Sequence, residues 1–179
     1  MSLDTTRQNF SDEAEAALNS QINLELYASN SYFALAGQFE NESSPLPGLA
    51  AYFAKQSEEE REHAQKLRRY LVSRGGTYAA SSIECPPPRV DGEDAYGAES
   101  ALRSALAMER QVNTSLLNLH KTAETHGDAQ MCDFVESEFL EEQIESMYEI
   151  SCLLQQLKLA GGGMGLLYFD QTVVKQLIR

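Results

Sequence analysis

A glutamate and a histidine lie one helical turn apart in the stretch Glu59-Glu60-Arg61-Glu62-His63. Glu60 and His63 are three residues apart, so a helix places them on one face, which the flanking apolar residues predict to be buried. Burying an ionised carboxylate without a partner costs on the order of several kcal/mol or more. Either this face is solvated and His63 is an ordinary core histidine, or a cation binds there.

The three other long helical runs also carry polar residues on the face that periodicity predicts to be buried. In the first run this face comprises Leu18, Ile22, Glu25, Ser29, Tyr32 and Ala36. In the third run it comprises Leu102, Leu106, Glu109, Asn113, Leu116 and His120. In the fourth run it comprises Glu136, Leu140, Gln143, Met147, Ile150 and Leu154. Three carboxylates, an imidazole and an amide at mid-bundle predict a cation site that suits iron or manganese, accepts zinc and disfavours copper.

Helix-breaking residues divide the chain into five helical segments within a single predicted domain, residues 1–179. The predicted helices span about residues 11–39, 49–73, 94–125, 129–159 and 166–177. The connection at about residues 75–93 contains Pro86-Pro87-Pro88 and exceeds the usual helix-to-helix length of about 2 to 8 residues. A connection this long can cross the full length of a bundle. The sequence therefore predicts an all-α four-helix bundle with one long crossover connection and a short fifth C-terminal helix.

The charge balance is strongly acidic, with 27 Asp and Glu residues against 14 Lys and Arg residues. This excess argues against a non-specific nucleic-acid binder and fits either attraction of cations or a solubilising surface. Cys85, Cys132 and Cys152 lie far apart, which indicates neither a zinc motif nor a disulfide framework and favours a reducing compartment. No apolar run reaches the roughly 18 residues of a membrane span. We therefore predict a cytoplasmic protein without nucleic-acid or membrane partners, with a cleaved organelle-targeting peptide left open.

Four segments of the chain resemble eukaryotic-type ferritin heavy subunits. They are residues 21–29, 59–64, 116–121 and 132–136, and the resemblance extends over nearly the whole chain. It implies a ferritin-like four-helix bundle that assembles into a hollow homo-oligomeric cage of twenty-four subunits. It also implies a ferroxidase, which oxidises Fe(II) with dioxygen at a di-iron centre inside each subunit and stores Fe(III) mineral in the cage.

The resemblance implies a ferroxidase centre whose residues match positions of this chain. These catalytic candidates are Glu25, Tyr32, Glu60, His63, Glu109 and Gln143. Glu25 and His63 would hold the first iron and Glu109 the second, with Glu60 as the bridge. Gln143 would hydrogen-bond bound dioxygen or water, and Tyr32 would hydrogen-bond the site or supply an electron. Two iron ions per centre are then substrates that pass through, which the single Glu-x-x-His motif also favours.

Acidic residues outside the centre also match the family pattern. The residues expected in or beside the threefold channel, through which cations enter, are His120, Glu124, Asp133 and Glu136. A ring of carboxylates attracts cations into such a channel. Glu59 and Glu62 match two glutamates of the mineral nucleation cluster, whereas Gln65 stands at the third position. An accessory third iron position near Glu142 and Glu145 stays open.

Three other functions compete with the ferroxidase interpretation. A non-catalytic storage or nucleation subunit of a mixed cage is disfavoured because Glu60 and His63 are both present, while the nucleation cluster is the incomplete part. A di-iron oxidase acting on another substrate is disfavoured by the single Glu-x-x-His motif and by Gln143. A structural bundle with solvated acidic residues predicts no dependence on metal at all.

Overall fold

Five helices make up most of the residues that this computed structural model describes, 6–84 and 97–178. Helix α1 spans Asp12–Glu40, α2 spans Pro47–Ser73 and α3 spans Ala98–Thr125. Helix α4 runs continuously through Ala129–Val135, a π turn at Glu136–Leu140 and Glu141–Ala160. The short α5 comprises Met164–Tyr168, a π turn at Phe169–Val173 and a 3₁₀ turn at Val174–Gln176. This is the predicted all-α class, a four-helix bundle with a short fifth helix.

The ends of α1 and α2 follow from local capping. Ser11 caps α1, because its Oγ accepts a hydrogen bond from the backbone N–H of Ala14 at 3.0 Å. Helix α2 begins at Pro47, two residues before the predicted start, because the fixed φ of proline suits the first helical position. The predicted start of the third helix near residue 94 and the proline run at 86–88 lie outside the described residues.

The bundle consists of two antiparallel helix pairs, α1 with α2 and α3 with α4, joined by the long crossover. Arg74, just after α2, binds the carboxylate of Asp128 in the turn between α3 and α4, with Nη2 and Oδ2 2.9 Å apart. The C-terminal ends of α2 and α3 therefore meet, so these two helices run parallel. The first part of the crossover, residues 77–84, lies along α1, where Asn19 and Asn23 donate to its carbonyls at 3.1 and 3.2 Å.

The π turn in α4 keeps one face of that helix on the core. The buried residues recur at strict four-residue steps, at Met131, Val135, Phe139 and Gln143. In an α-helix each such step over-rotates by about 40°, and the wider π turn absorbs this drift. The prediction that Glu136 lies on the inner stripe is wrong, because its side chain is exposed and Val135 and Phe139 take the buried positions. A uniform α-helical period had placed it inside.

Helix α5 attaches to the bundle through a buried aspartate. The carboxylate of Asp170, which is fully buried, accepts hydrogen bonds from the backbone N–H groups of Gly48 at 3.0 Å and Leu49 at 2.8 Å. These groups belong to the first turn of α2, which has no side-chain cap of its own. A Cβ on Gly48 would lie 2.2 Å from the backbone oxygen of Asp170, so this contact requires glycine. Asp170 thus caps α2 from another helix.

Two features bear on the environment of the protein. Among the described helices, none combines the length and apolar character that a membrane span requires. Cys132 and Cys152 are free cysteines and both are partly exposed, whereas Cys85 lies outside the described residues.

Candidate metal centre

Four helices each direct a polar side chain into the middle of the bundle. Helix α1 contributes Glu25, α2 contributes Glu60 and His63, α3 contributes Glu109 and α4 contributes Gln143. The two carboxylates of α1 and α3 are 0% and 1% exposed, and Glu60 is 4% exposed. Acidic residues are almost never buried this fully unless they are paired or bind a cation.

Three of the predicted ligands converge on one point. One ligand atom from each of Glu25, Glu60 and His63 lies within 4.8 Å of the other two. His63 Nδ1 is 3.2 Å from Glu60 Oε2. Glu25 Oε2 is buried and has no hydrogen-bond partner in the described chain. A bare buried carboxylate oxygen beside a second carboxylate and an imidazole fits a cation that accepts both oxygen and nitrogen ligands, such as iron.

The carboxylate of Glu109 is held by two donors. Its Oε1 accepts a hydrogen bond from the hydroxyl of Tyr32, and its Oε2 accepts one from Gln143 Nε2 at 3.0 Å. Gln143 Oε1 is buried without a partner in the described residues. Tyr32 and Gln143 therefore both contact the carboxylate predicted to hold the second iron. The cluster of three groups described above does not include Glu109.

Two buried carboxylates of the site have raised pKa values. Burial raises the pKa of Glu25 well above its usual value, and the charge of Glu60 raises it further. Burial followed by the charge of Glu60 also raises the pKa of Glu109, to about 7. The charge of Glu60 thus acts on both carboxylates and disfavours the ionised form of each.

The imidazole of His63 lies between two carboxylates. Burial favours its neutral form, but hydrogen bonds to Glu142 and Glu60 outweigh burial and raise its pKa to about 10. Burial raises the pKa of Tyr32 well above its usual range, and the charges of Glu109 and Glu60 add to this effect. Without metal, protons therefore compensate part of the negative charge, and a bound cation would replace them.

Two serines fix the separation of α1 and α2 beside the site. Ser29 Oγ donates to the carbonyl of Ser57 at 2.7 Å, and Ser57 Oγ donates to the carbonyl of Ser29 at 2.8 Å. Ser29 lies one turn after Glu25, and Ser57 lies three residues before Glu60. These small side chains let the helices approach closely, so the two carboxylates face each other across a short gap.

Two residues that sequence reasoning did not assign to the centre contact its ligands. Gln21 Nε2 donates to Glu25 Oε1 at 2.8 Å, and Glu142 Oε2 is 3.3 Å from His63 Nε2. Gln21 was missed because it lies four residues before Glu25, whereas the predicted stripe passes through Ile22. A polar residue one turn from a buried carboxylate was the available signal. From the sequence, Glu142 is a candidate only for the accessory iron position.

The residues expected at the threefold channel lie at the junction of α3 and α4. His120 Nε2 is 2.6 Å from Glu136 Oε1, which joins the two helices there. Glu124, Asp133 and Glu136 are exposed, and Cys132 Sγ lies 4.0 Å from the carbonyl of His120. This surface is therefore acidic and open within one subunit.

The residues expected to nucleate mineral lie on the outer side of α2. Glu62 is exposed, and Glu59 is half-buried. Glu59 accepts a hydrogen bond from Gln56 Nε2 at 2.5 Å and lies 3.5 Å from Lys55 Nζ. Its carboxylate is thus already engaged, whereas Glu62 is free to face solvent.

Comparisons with known proteins identify relatives of this chain. The family model described as "Ferritin-like domain" matches residues 15–160. Soma ferritin from Lymnaea stagnalis is 47% identical over 175 residues, covering 97% of this chain and 98% of its own. The chloroplastic ferritin-2 of Vigna unguiculata is 45% identical over 170 residues, covering 95% of this chain and 68% of its own. The chain belongs to the ferritin family.

Proposed function

We propose that this chain is an iron-storage subunit that oxidises Fe(II) with dioxygen at a centre formed by Glu25, Glu60, His63 and Glu109. The observation that supports this most strongly is the convergence of two buried carboxylates and an imidazole, with one carboxylate oxygen left bare. Membership of the ferritin family supports the storage of iron as the purpose of that centre. Iron is the substrate here rather than a resident cofactor.

In the proposed reaction, Glu25 and His63 bind the first iron, Glu109 binds the second and Glu60 bridges them. Each Fe(II) ion gives one electron to a shared dioxygen molecule, which takes up two protons and leaves as hydrogen peroxide. The two Fe(III) ions then hydrolyse, release protons and join the mineral. Tyr32 and Gln143 orient Glu109 through their hydrogen bonds, so the second position is held in place before iron arrives.

We further propose that twenty-four copies form a closed shell around the mineral. Large apolar side chains are strongly exposed in the single chain, including Leu159 at 87%, Met164 at 79% and Phe33 at 74%. Exposed apolar residues of this size favour contacts between subunits. We propose the cytoplasm as the compartment, since Cys132 and Cys152 are free cysteines, although the plant relatives are named as chloroplastic.

Oxidation of Fe(II) in air tests the proposed activity. Metal-free protein is mixed with Fe(II), and the rise of ferric absorbance is followed for the wild type and for a Glu60→Ala/His63→Ala variant. We expect the variant to lose at least about tenfold in initial rate, because one ligand of the first iron and the bridging ligand are removed. A Glu13→Ala/His126→Ala variant is the matched control, because this exposed glutamate–histidine pair, 3.5 Å apart, lies outside the centre.

Equal rates for the wild type and the Glu60→Ala/His63→Ala variant would contradict the ferroxidase assignment. That result would favour the alternative, a non-catalytic storage or nucleation subunit that depends on partner subunits for oxidation. Light scattering tests the shell independently. A monomer or dimer as the only species would contradict the proposed assembly.

A further inference from the structure

Gln21 contacts the predicted iron ligand Glu25 from one helical turn earlier in α1. Both side chains are fully buried, and Gln21 Nε2 lies 2.8 Å from Glu25 Oε1. When a cation binds, Glu25 is ionised and only accepts hydrogen bonds, so the amide NH₂ must then face it and the amide oxygen must point away. This contact occupies one oxygen of Glu25. The other oxygen, Oε2, has no partner in the described chain.

We infer that Gln21 is a positioning residue that makes Glu25 a one-oxygen ligand for iron; this inference rests on the proposed function. The hydrogen bond holds the carboxylate in one rotation, so that Oε2 alone is left for a cation beside Glu60 and His63. Without this bond the carboxylate would rotate and offer both oxygens. Partners of this kind orient metal ligands, and their loss typically costs about 10- to 100-fold in metal affinity.

The burial of Gln21 itself argues against a role in packing alone. Its Oε1 is buried without a hydrogen-bond partner in the described residues. An unpartnered buried carbonyl is unfavourable, and leucine or methionine would fill the same space without that cost. The amide at this position is therefore explained by what its NH₂ group does, which is to donate to Glu25.

Binding of Co(II) tests this role without measuring enzyme activity. Metal-free wild type and a Gln21→Met variant of similar side-chain volume are titrated with Co(II), and the visible absorption of the bound ion is recorded. We expect the variant to bind the first Co(II) about tenfold more weakly. We also expect its band to be less intense, because a carboxylate that binds through both oxygens raises the coordination number.

A Gln56→Met variant is the matched control. Gln56 is also a buried glutamine whose Nε2 donates to a glutamate, Glu59, but this glutamate lies outside the proposed ligand set. Its Co(II) affinity and spectrum should equal those of the wild type. If Gln21→Met also equals the wild type, the inference is overturned while the proposed function stands. A wild type that shows no saturable Co(II) band would instead overturn the proposed function.

A second variant keeps the test decisive if Gln21→Met does not assemble by light scattering. Gln21→Asn retains the amide but is one methylene shorter, so it no longer reaches Glu25 Oε1. We expect Co(II) binding weakened to a similar degree. Wild-type affinity together with a wild-type spectrum in Gln21→Asn would overturn the inference.

Discussion

Single residues of the candidate centre carry charges that burial makes unfavourable. Glu25 and Glu109 are both enclosed, and both have raised pKa values because burial and the charge of Glu60 disfavour their ionised forms. A group with a raised pKa in the folded protein binds its proton more tightly there than in the unfolded chain. Its contribution to stability is therefore complete at low pH and is lost as pH rises through the folded pKa.

A Glu109→Gln substitution makes this dependence measurable in metal-free protein. The pKa of Glu109 is raised from 4.5 to about 7, so the wild type should lose stability from this residue as pH rises across that interval. Glutamine does not ionise. The melting temperature of the variant minus that of the wild type, measured by calorimetry, should therefore increase from pH 5 to pH 8. A melting-temperature difference that decreases with rising pH would contradict this expectation. Glu58→Gln, an exposed change on α2, controls for the loss of one charge.

The buried acids of the centre were predictable from sequence, and so were both donors to Glu109. The contacts that Gln21 and Glu142 make with the centre were not. Glu25, Glu60 and Glu109 interrupt apolar stripes, and a buried acid in a periodic stripe is visible without a structure. The contacts of Gln21 and Glu142 depend on side-chain rotation and on the exact separation of helices. The reciprocal Ser29–Ser57 bonds that set this separation join positions 28 residues apart, which periodicity does not relate.

Among the helices, the junction of α2 with α5 leaves no room for one added carbon atom at Gly48. Gly48 lies so close to Asp170 that an added Cβ would be 2.2 Å from its carbonyl oxygen and 2.8 Å from Oδ1. The backbone of Asp170 cannot move away from this contact unless α5 moves as well. The first turn of α2 would then lose the carboxylate that caps it.

We predict opposite effects for two Gly→Ala changes within helices. Gly48→Ala should destabilise the protein by about 2 kcal/mol or more, because the cap is lost and buried N–H groups are left unpaired. Gly37→Ala on α1 meets nothing within 4 Å and should stabilise by roughly 0.5–1 kcal/mol. Chemical denaturation of the assembled protein measures both. Equal effects would contradict the close contact, and Asp170→Ala should reproduce the loss seen with Gly48→Ala.

Helix identity was predictable here, whereas two features of helix geometry were not. Alternating three- and four-residue steps identify α1 and α2 directly, because their buried faces follow an undisturbed α-helical period. The π turn of α4 changes that period over five residues, so the stripe drawn through Glu136 was misplaced. The cap on α2 could not be predicted from sequence either, because Asp170 lies 122 residues beyond Gly48.

At the scale of the whole molecule, each chain carries a formal net charge of −13. Exposed carboxylates at Glu124, Asp133 and Glu136 concentrate part of this charge where α3 meets α4. Such a field raises the local concentration of cations. Dissolved salt screens this field, and at 0.1 M the screening length is about 10 Å. Iron uptake should therefore depend on ionic strength even though the centre is buried.

We predict that the initial rate of Fe(II) oxidation falls roughly three- to tenfold as salt rises from about 10 to 300 mM. An Asp133→Asn/Glu136→Gln variant should start slower and show a weaker dependence on salt, because the attracting charge is reduced. Stopped-flow absorbance at several salt concentrations measures both slopes. Parallel slopes for the two proteins would show that these carboxylates do not guide iron.

The cap that Asp170 provides also sets an order of events during synthesis. Ribosomes add about 5–20 residues per second, so the first turn of α2 is made roughly 6 to 24 seconds before the residue that caps it. A nascent chain stalled before Asp170 should exchange the amide hydrogens of Gly48 and Leu49 faster than the full chain, as mass spectrometry of the 47–53 peptide would report. Protection there that is already complete in the stalled chain would refute this. Until translation reaches Asp170, the first turn of α2 therefore lacks the carboxylate that caps it in the folded subunit.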